Sequence, residues 1–172
     1  MTADNERRHR NAVGATGRQV GENLKRLRLA RGLSTRELAE ELRQHGRPIP
    51  ATGITRIEKG ARSVDVDDLF TLAVVLDVSP LTLLLPPTSG DVVAEATSTG
   101  SLPTWKLWNW GRVMEPIKEP FSEADYADFQ LHAAPKGVSK YIRRGERTEQ
   151  ELAQVSVDMA RVTEARRYIN ER

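Results

Sequence analysis

The chain contains no cysteine. Disulfides and thiolate metal sites are thereby excluded, and a reducing compartment suits it. Aromatic residues are scarce at 5% and apolar residues reach only 38%, so one large core spanning the whole chain is not expected. No apolar run approaches the roughly 18 residues that a membrane-spanning helix needs. The stretch from Met1 to Asn11 is polar and basic, with no signal-peptide core. A soluble, cytoplasmic protein is expected. Histidine is sparse as well: His9, His45 and His132 show no metal-ligand spacing. No phosphate-binding loop, nucleophile elbow or dinucleotide fingerprint is present. The expectation is a protein that is not an enzyme and holds neither metal nor cofactor.

One further absence concerns charge. Residues 63–103 carry no lysine or arginine at all. The net charge of +2 therefore conceals an asymmetry: residues 1–62 hold 14 Lys/Arg against 7 Asp/Glu, and residues 63–172 hold 12 against 17. A basic half suits a polyanion and an acidic half suits a protein partner or solvent. Charge that merely solvates a surface would give the same totals. The 172 residues suffice for one domain with an extension or for two small domains.

What is present is a series of short helices. Residues 1–18 are polar and aperiodic and read as a flexible arm. Val20, Leu24 and Leu27 mark the apolar face of a first helix, about Val20 to Ala30, which Gly32 stops. Ser34 and Glu37 form a capping box for a second helix with Leu38, Ala39 and Leu42 on its buried face. The stretch Gln44 to Pro50, with one glycine and two prolines, cannot be helical throughout. A third helix, about Ala51 to Glu58, places Ile54 and Ile57 on one face and Thr52, Thr55, Arg56 and Lys59 on the other. Such an anchored apolar face, opposite a free hydroxyl-and-cation face, is what a helix lying in a DNA groove requires. Asp65 or Asp67 caps a fourth helix with the stripe Leu69, Leu72, Ala73, Leu76. Ser79-Pro80 opens a fifth, which ends at Pro86-Pro87.

Gly32-Leu-Ser-Thr-Arg-Glu-Leu-Ala39, Ile54-Thr-Arg-Ile-Glu-Lys-Gly60 and Leu72-Ala73 to Leu76-Asp-Val-Ser-Pro-Leu81 recur in the order and spacing of the lambda-repressor-like, or XRE-type, helix-turn-helix family, which residues 20–85 resemble. The resemblance implies a DNA-binding transcriptional regulator whose third helix reads the major groove of double-stranded DNA. Base-reading positions fall on Ala51, Thr52, Thr55 and Arg56. Arg56 is suited to guanine O6 and N7 together, the two threonines to an edge or a thymine methyl, and Ala51 to an apolar contact; a solvated surface arginine is the plain alternative. Phosphate contacts are expected from Ser34, Thr35 and Arg36 at the second helix and from Lys59 and Arg62 after the third. Arg36 has an alternative partner in Glu40, four residues on. The resemblance also pairs Glu58 with Arg28 in a structural salt bridge. Between Leu42 and Ile54 the chain is several residues longer than the family's tight turn, which places Arg47 on a loop near the DNA backbone. Gly53 is unusual inside a helix and suggests a close approach, to phosphate or to the second helix.

The fold class expected is all-α. It comprises a helix-turn-helix domain over 19–87, a Ser/Thr/Gly-rich linker over 88–103, and a helical C-terminal region over 104–172 that ends in a long helix. Trp105, Trp108 and Trp110 are all the tryptophans. A small aromatic core with Phe121, Tyr126 and Phe129 is favoured for them over a ligand cage. Leu152, Val155, Met159, Val162 and Ile169 form a heptad seam broken by Arg166. The seam suits a homodimer, with two readers on a palindromic operator, or docking within the chain on the tryptophans. The function expected is a dimeric repressor. The alternative is an antitoxin-like or adaptor protein whose C-terminal region binds a partner protein while the head autoregulates. A sensor built on the aromatic segment is the weakest reading.

Overall fold

The computed structural model describes residues 13–118 and 122–133. They fall into two units divided after Ser122, each described by itself. In the first, five helices occupy Ala15–Ala30 (α1), Thr35–Gln44 (α2), Ala51–Glu58 (α3), Val66–Val75 (α4) and Pro80–Leu84 (α5). They enclose one core of Leu24, Leu38, Leu42, Ile49, Ile54, Ile57, Leu72, Ala73, Val75, Leu76 and Leu83. Each helix turns an apolar face inward, while Val66, Phe70 and Val74 of α4 stay exposed, and the burial of the inward residues, about 1.5–3 kcal/mol for each large side chain, drives the collapse.

The helix starts follow local chemistry. Ser34 Oγ accepts the Glu37 amide at 3.2 Å, and the Glu37 carboxylate accepts the Ser34 amide at 2.7 Å. Asp65 accepts the Asp68 amide at 2.7 Å and opens α4, and Ser79 with Pro80 opens α5. α1 differs. It begins at Ala15 rather than Val20, and its N-cap, Gly14, has no side chain with which to cap. That role passes to Thr97, 81 residues away from Thr16. Its Oγ1 accepts the Thr16 amide at 3.2 Å, and its own amide donates to Thr16 Oγ1 at 3.0 Å.

Thr97 lies in a hairpin, which corrects two expectations. Residues 88–103 are not a featureless linker, and the fold is not wholly helical. β1 (Val93–Ala96) pairs antiparallel with β2 (Gly100–Pro103), from Val93 opposite Pro103 to Ala96 opposite Gly100. Three residues turn the chain, with Ser98 at φ 67° and Gly100 at φ 66°, as short hairpin loops require.

A further helix, α6 (Thr104–Gly111), belongs to the same unit, so the first compact body runs past the expected boundary at 104. Thr104, 1% exposed, exchanges hydrogen bonds with Gly90, and Trp108 Nε1 donates to the Pro86 carbonyl at 3.0 Å. The aromatic segment is thus seated against the end of α5. Leu107 is buried, Trp105 and Trp108 are half-buried, and Trp110 is exposed. Phe121 lies outside the described residues.

The second unit is described for α7 (Glu123–Ala133), which carries Tyr126 and Phe129. It has Glu123 and Asp125 in its first turn and His132 in its last, as the helix dipole favours. The long last helix and the seam of Leu152, Val155, Met159, Val162 and Ile169 lie outside the described residues, as does most of the N-terminal arm.

Candidate nucleic-acid interface

α3 is the element on which the site is built. Ile54 and Ile57 are fully buried, and Gly53 is buried with them. Thr52, Arg56 and Lys59 are exposed, while Ala51 and Thr55 are half-buried. The Thr55 hydroxyl donates to the Ala51 carbonyl at 3.0 Å, so what it presents outward is a methyl group and oxygen lone pairs. Arg56 and Lys59 take part in no ion pair among the described residues. The flank is short, polar and cationic, on a helix narrow enough for a major groove.

Two contacts seat α3 against α1. The first is backbone on backbone: a Cβ at Gly21 would lie 2.3 Å from the Ile57 carbonyl oxygen, so the helices approach as closely as a missing side chain allows. The second is the pair of Arg28 with Glu58. Nε meets Oε1 at 2.7 Å and Nη2 meets Oε2 at 3.0 Å, with the two side chains 9% and 8% exposed. Arg28 Nη1 also donates to the Leu33 carbonyl at 2.7 Å. A two-pronged pair with a third acceptor is the geometry that makes a buried guanidinium tolerable. The hydrogen bond to Glu58 holds the Arg28 guanidinium above its usual value against the opposing effect of burial.

The α2 end of the site is arranged so that Arg36 faces outward. Glu40, its alternative partner, is taken instead by Arg43 at 2.6 Å and by Gln44 at 3.1 Å. Those contacts pull the Glu40 carboxyl down to about 2, the Arg43 bond contributing most. Ser34 is exposed and Thr35 half-buried at the head of the same helix. Here the capping carboxylate of Glu37 already occupies part of the helix terminus.

Arg47 and Arg62, expected at phosphates, are engaged elsewhere. Arg47 Nε meets Asp68 Oδ1 at 2.8 Å and its Nη2 meets Asp65 Oδ2 at 2.7 Å. Arg62 Nη2 meets Asp68 Oδ2 at 2.9 Å. The sequence alone does not point to Asp68 and Asp65 as their partners. The only signal in the chain was an acid-rich α4 start, which the helix dipole explains unaided. Asn23 was missed too: 1% exposed, its amide donates to the Leu83 and Leu85 carbonyls at 3.0 and 2.7 Å and closes α1 onto the end of α5. Gly53 lies against the two segments that flank α3. A Cβ there would lie 2.8 Å from Arg62 Nη1 and 3.2 Å from the Ile49 side chain.

A capped helix, a turn and a second helix with an outward polar flank make a helix-turn-helix, the arrangement that DNA-binding proteins lay in a major groove. Residues 24–83 match the family model described as helix-turn-helix, the lambda-repressor-like, XRE-type family of DNA-binding transcription regulators. Comparison with curated proteins and with solved structures finds no match. Among the described residues, no helix is long and apolar enough to cross a membrane.

Proposed function

We propose that the protein is a dimeric transcriptional repressor, not an enzyme, that lays α3 in the major groove. Ala51, Thr52, Thr55 and Arg56 read base edges; Ser34, Thr35, Arg36 and Lys59 hold phosphates. The observation that carries this reading is the two-faced α3, with Ile54 and Ile57 fully buried and Thr52, Arg56 and Lys59 outward. Dimerisation rests on the heptad spacing of Leu152, Val155, Met159, Val162 and Ile169 in the sequence. It would place two copies on half-sites about one helical turn apart.

Selection of bound duplexes from a random pool by the full chain tests the proposal. An inverted repeat is expected, and a pool that stays unenriched would refute sequence-specific reading. On the enriched duplex, Arg56→Ala should relax preference at one position of each half-site, for about 1–3 kcal/mol of lost discrimination. Lys59→Ala should weaken all sequences alike and flatten the plot of log affinity against log salt by about 0.9.

A further inference from the structure

Asp68 holds both segments that carry the reading helix. Its carboxylate is 4% exposed, with Oδ1 on Arg47 from the turn that enters α3 and Oδ2 on Arg62 from the segment that leaves it. Asp65, the α4 cap, adds a second acceptor for Arg47 and takes the Asp68 amide. The entering turn spans residues 45–50, longer than the 3–4 residues usual between such helices. It bends at Gly46 with φ 78°. Gly53 removes the side chain that would stand in the way of the Arg62 guanidinium. Drawing either arginine out to a phosphate would leave a buried carboxylate half-compensated, which is costly.

Resting on the DNA-binding reading above, we infer that Arg47 and Arg62 are positioning residues, not phosphate contacts: bridged by Asp68, they clamp the two ends of α3 and set the pose in which Thr52 and Arg56 meet bases. The longer turn is thereby made rigid. Loss of the clamp lowers discrimination between sequences while leaving the electrostatic attraction to any duplex in place.

Asp68→Asn, in the full chain, separates the two roles by sign. Binding is measured across a salt series on the enriched duplex and on a scrambled duplex of equal length. For a clamp, affinity for the enriched duplex falls roughly tenfold, affinity for the scrambled one changes less than about twofold, and the salt slope holds. Tighter binding to both duplexes, with a slope steeper by about one to two, would show arginines released to phosphates and overturn the inference. Arg47→Lys serves as the second variant should Asp68→Asn not fold. A lysine still meets a phosphate as a point charge but does not bridge two carboxylates, so retained discrimination is the overturning result. Amide hydrogen exchange on the DNA-free chain completes the test. The clamp variants should speed exchange in α3 by about tenfold and leave the middle of α1 unchanged, and equal rates in α3 would refute the clamp. This last readout stands even if the wild-type chain binds no duplex selectively, in which case the proposed function fails by itself.

Discussion

α1 and α2 start in opposite ways. α2 carries its own start, since Ser34 and Glu37 satisfy each other's amides within a single turn. α1 borrows its start from Thr97 in the hairpin turn. A local device is stable wherever its four residues are helical. A borrowed one exists only once the chain has closed a long loop, whose entropy must be offset by other contacts. The head therefore depends on two kinds of joint. Those within a turn of helix shape individual elements, and those between distant segments hold the elements in place around α3.

The contrast is sharpest at Arg28. Arg28→Ala breaks a distant joint and strands the Glu58 carboxylate at 8% exposure, for an expected loss of about 3–5 kcal/mol. Thermal or denaturant unfolding measures it, and a loss below about 1 kcal/mol would place the pair among the weak surface bridges. Ser34→Ala removes a local joint and should cost about 1 kcal/mol by the same measurement. Thr97→Ala should cost less in global stability, because its partners are exposed. It should also speed amide exchange across β1 and the first turn of α1, where Ser34→Ala leaves both unchanged. Equal effects of the two substitutions on the hairpin would dissolve the distinction.

The smallest effect is one of pH. Backbone and side-chain hydrogen bonds from Ser34 lower the Glu37 carboxyl, Arg43 lowers Glu40 to about 2, and Asp65 is lowered chiefly by the Asp68 amide, with Arg47 assisting. Each is depressed in the folded state, so the unfolded chain binds more protons between the two values. The stability they contribute is complete above about pH 5 and declines as pH falls through the folded values. These groups lie at the surface and the decline should be shallow. Unfolding midpoints measured from pH 6 to pH 2 check it, and Asp65→Asn should flatten the curve.

The head was legible because its signals are local. Apolar spacing places the five helices, and Ser34 with Glu37, Asp65 and Ser79 mark the starts of α2, α4 and α5 within a residue or two, while α1, without a local cap, begins five residues before the expected Val20. The outward flank of α3 followed from its apolar opposite. The hairpin was not legible, since its two strands have four residues each and turn on Ser98, leaving no period long enough to tell from a linker. Nor were the partners of Arg47 and Arg62. A cation near an expected DNA surface and acids at a helix start each have a sufficient local reason, and only the folded chain brings them to one another.

The meeting of Gly21 with the Ile57 carbonyl has a last consequence. Packing between side chains gives way by small rotamer adjustments, but two backbones in touch have none to make. The depth to which α3 sits is therefore gauged by a hard stop on its inner side. The residues of its outer flank are free of that stop, so Thr52 and Arg56 are open to replacement by other side chains, and under the proposed function to new target sequences, with the seat beneath them undisturbed.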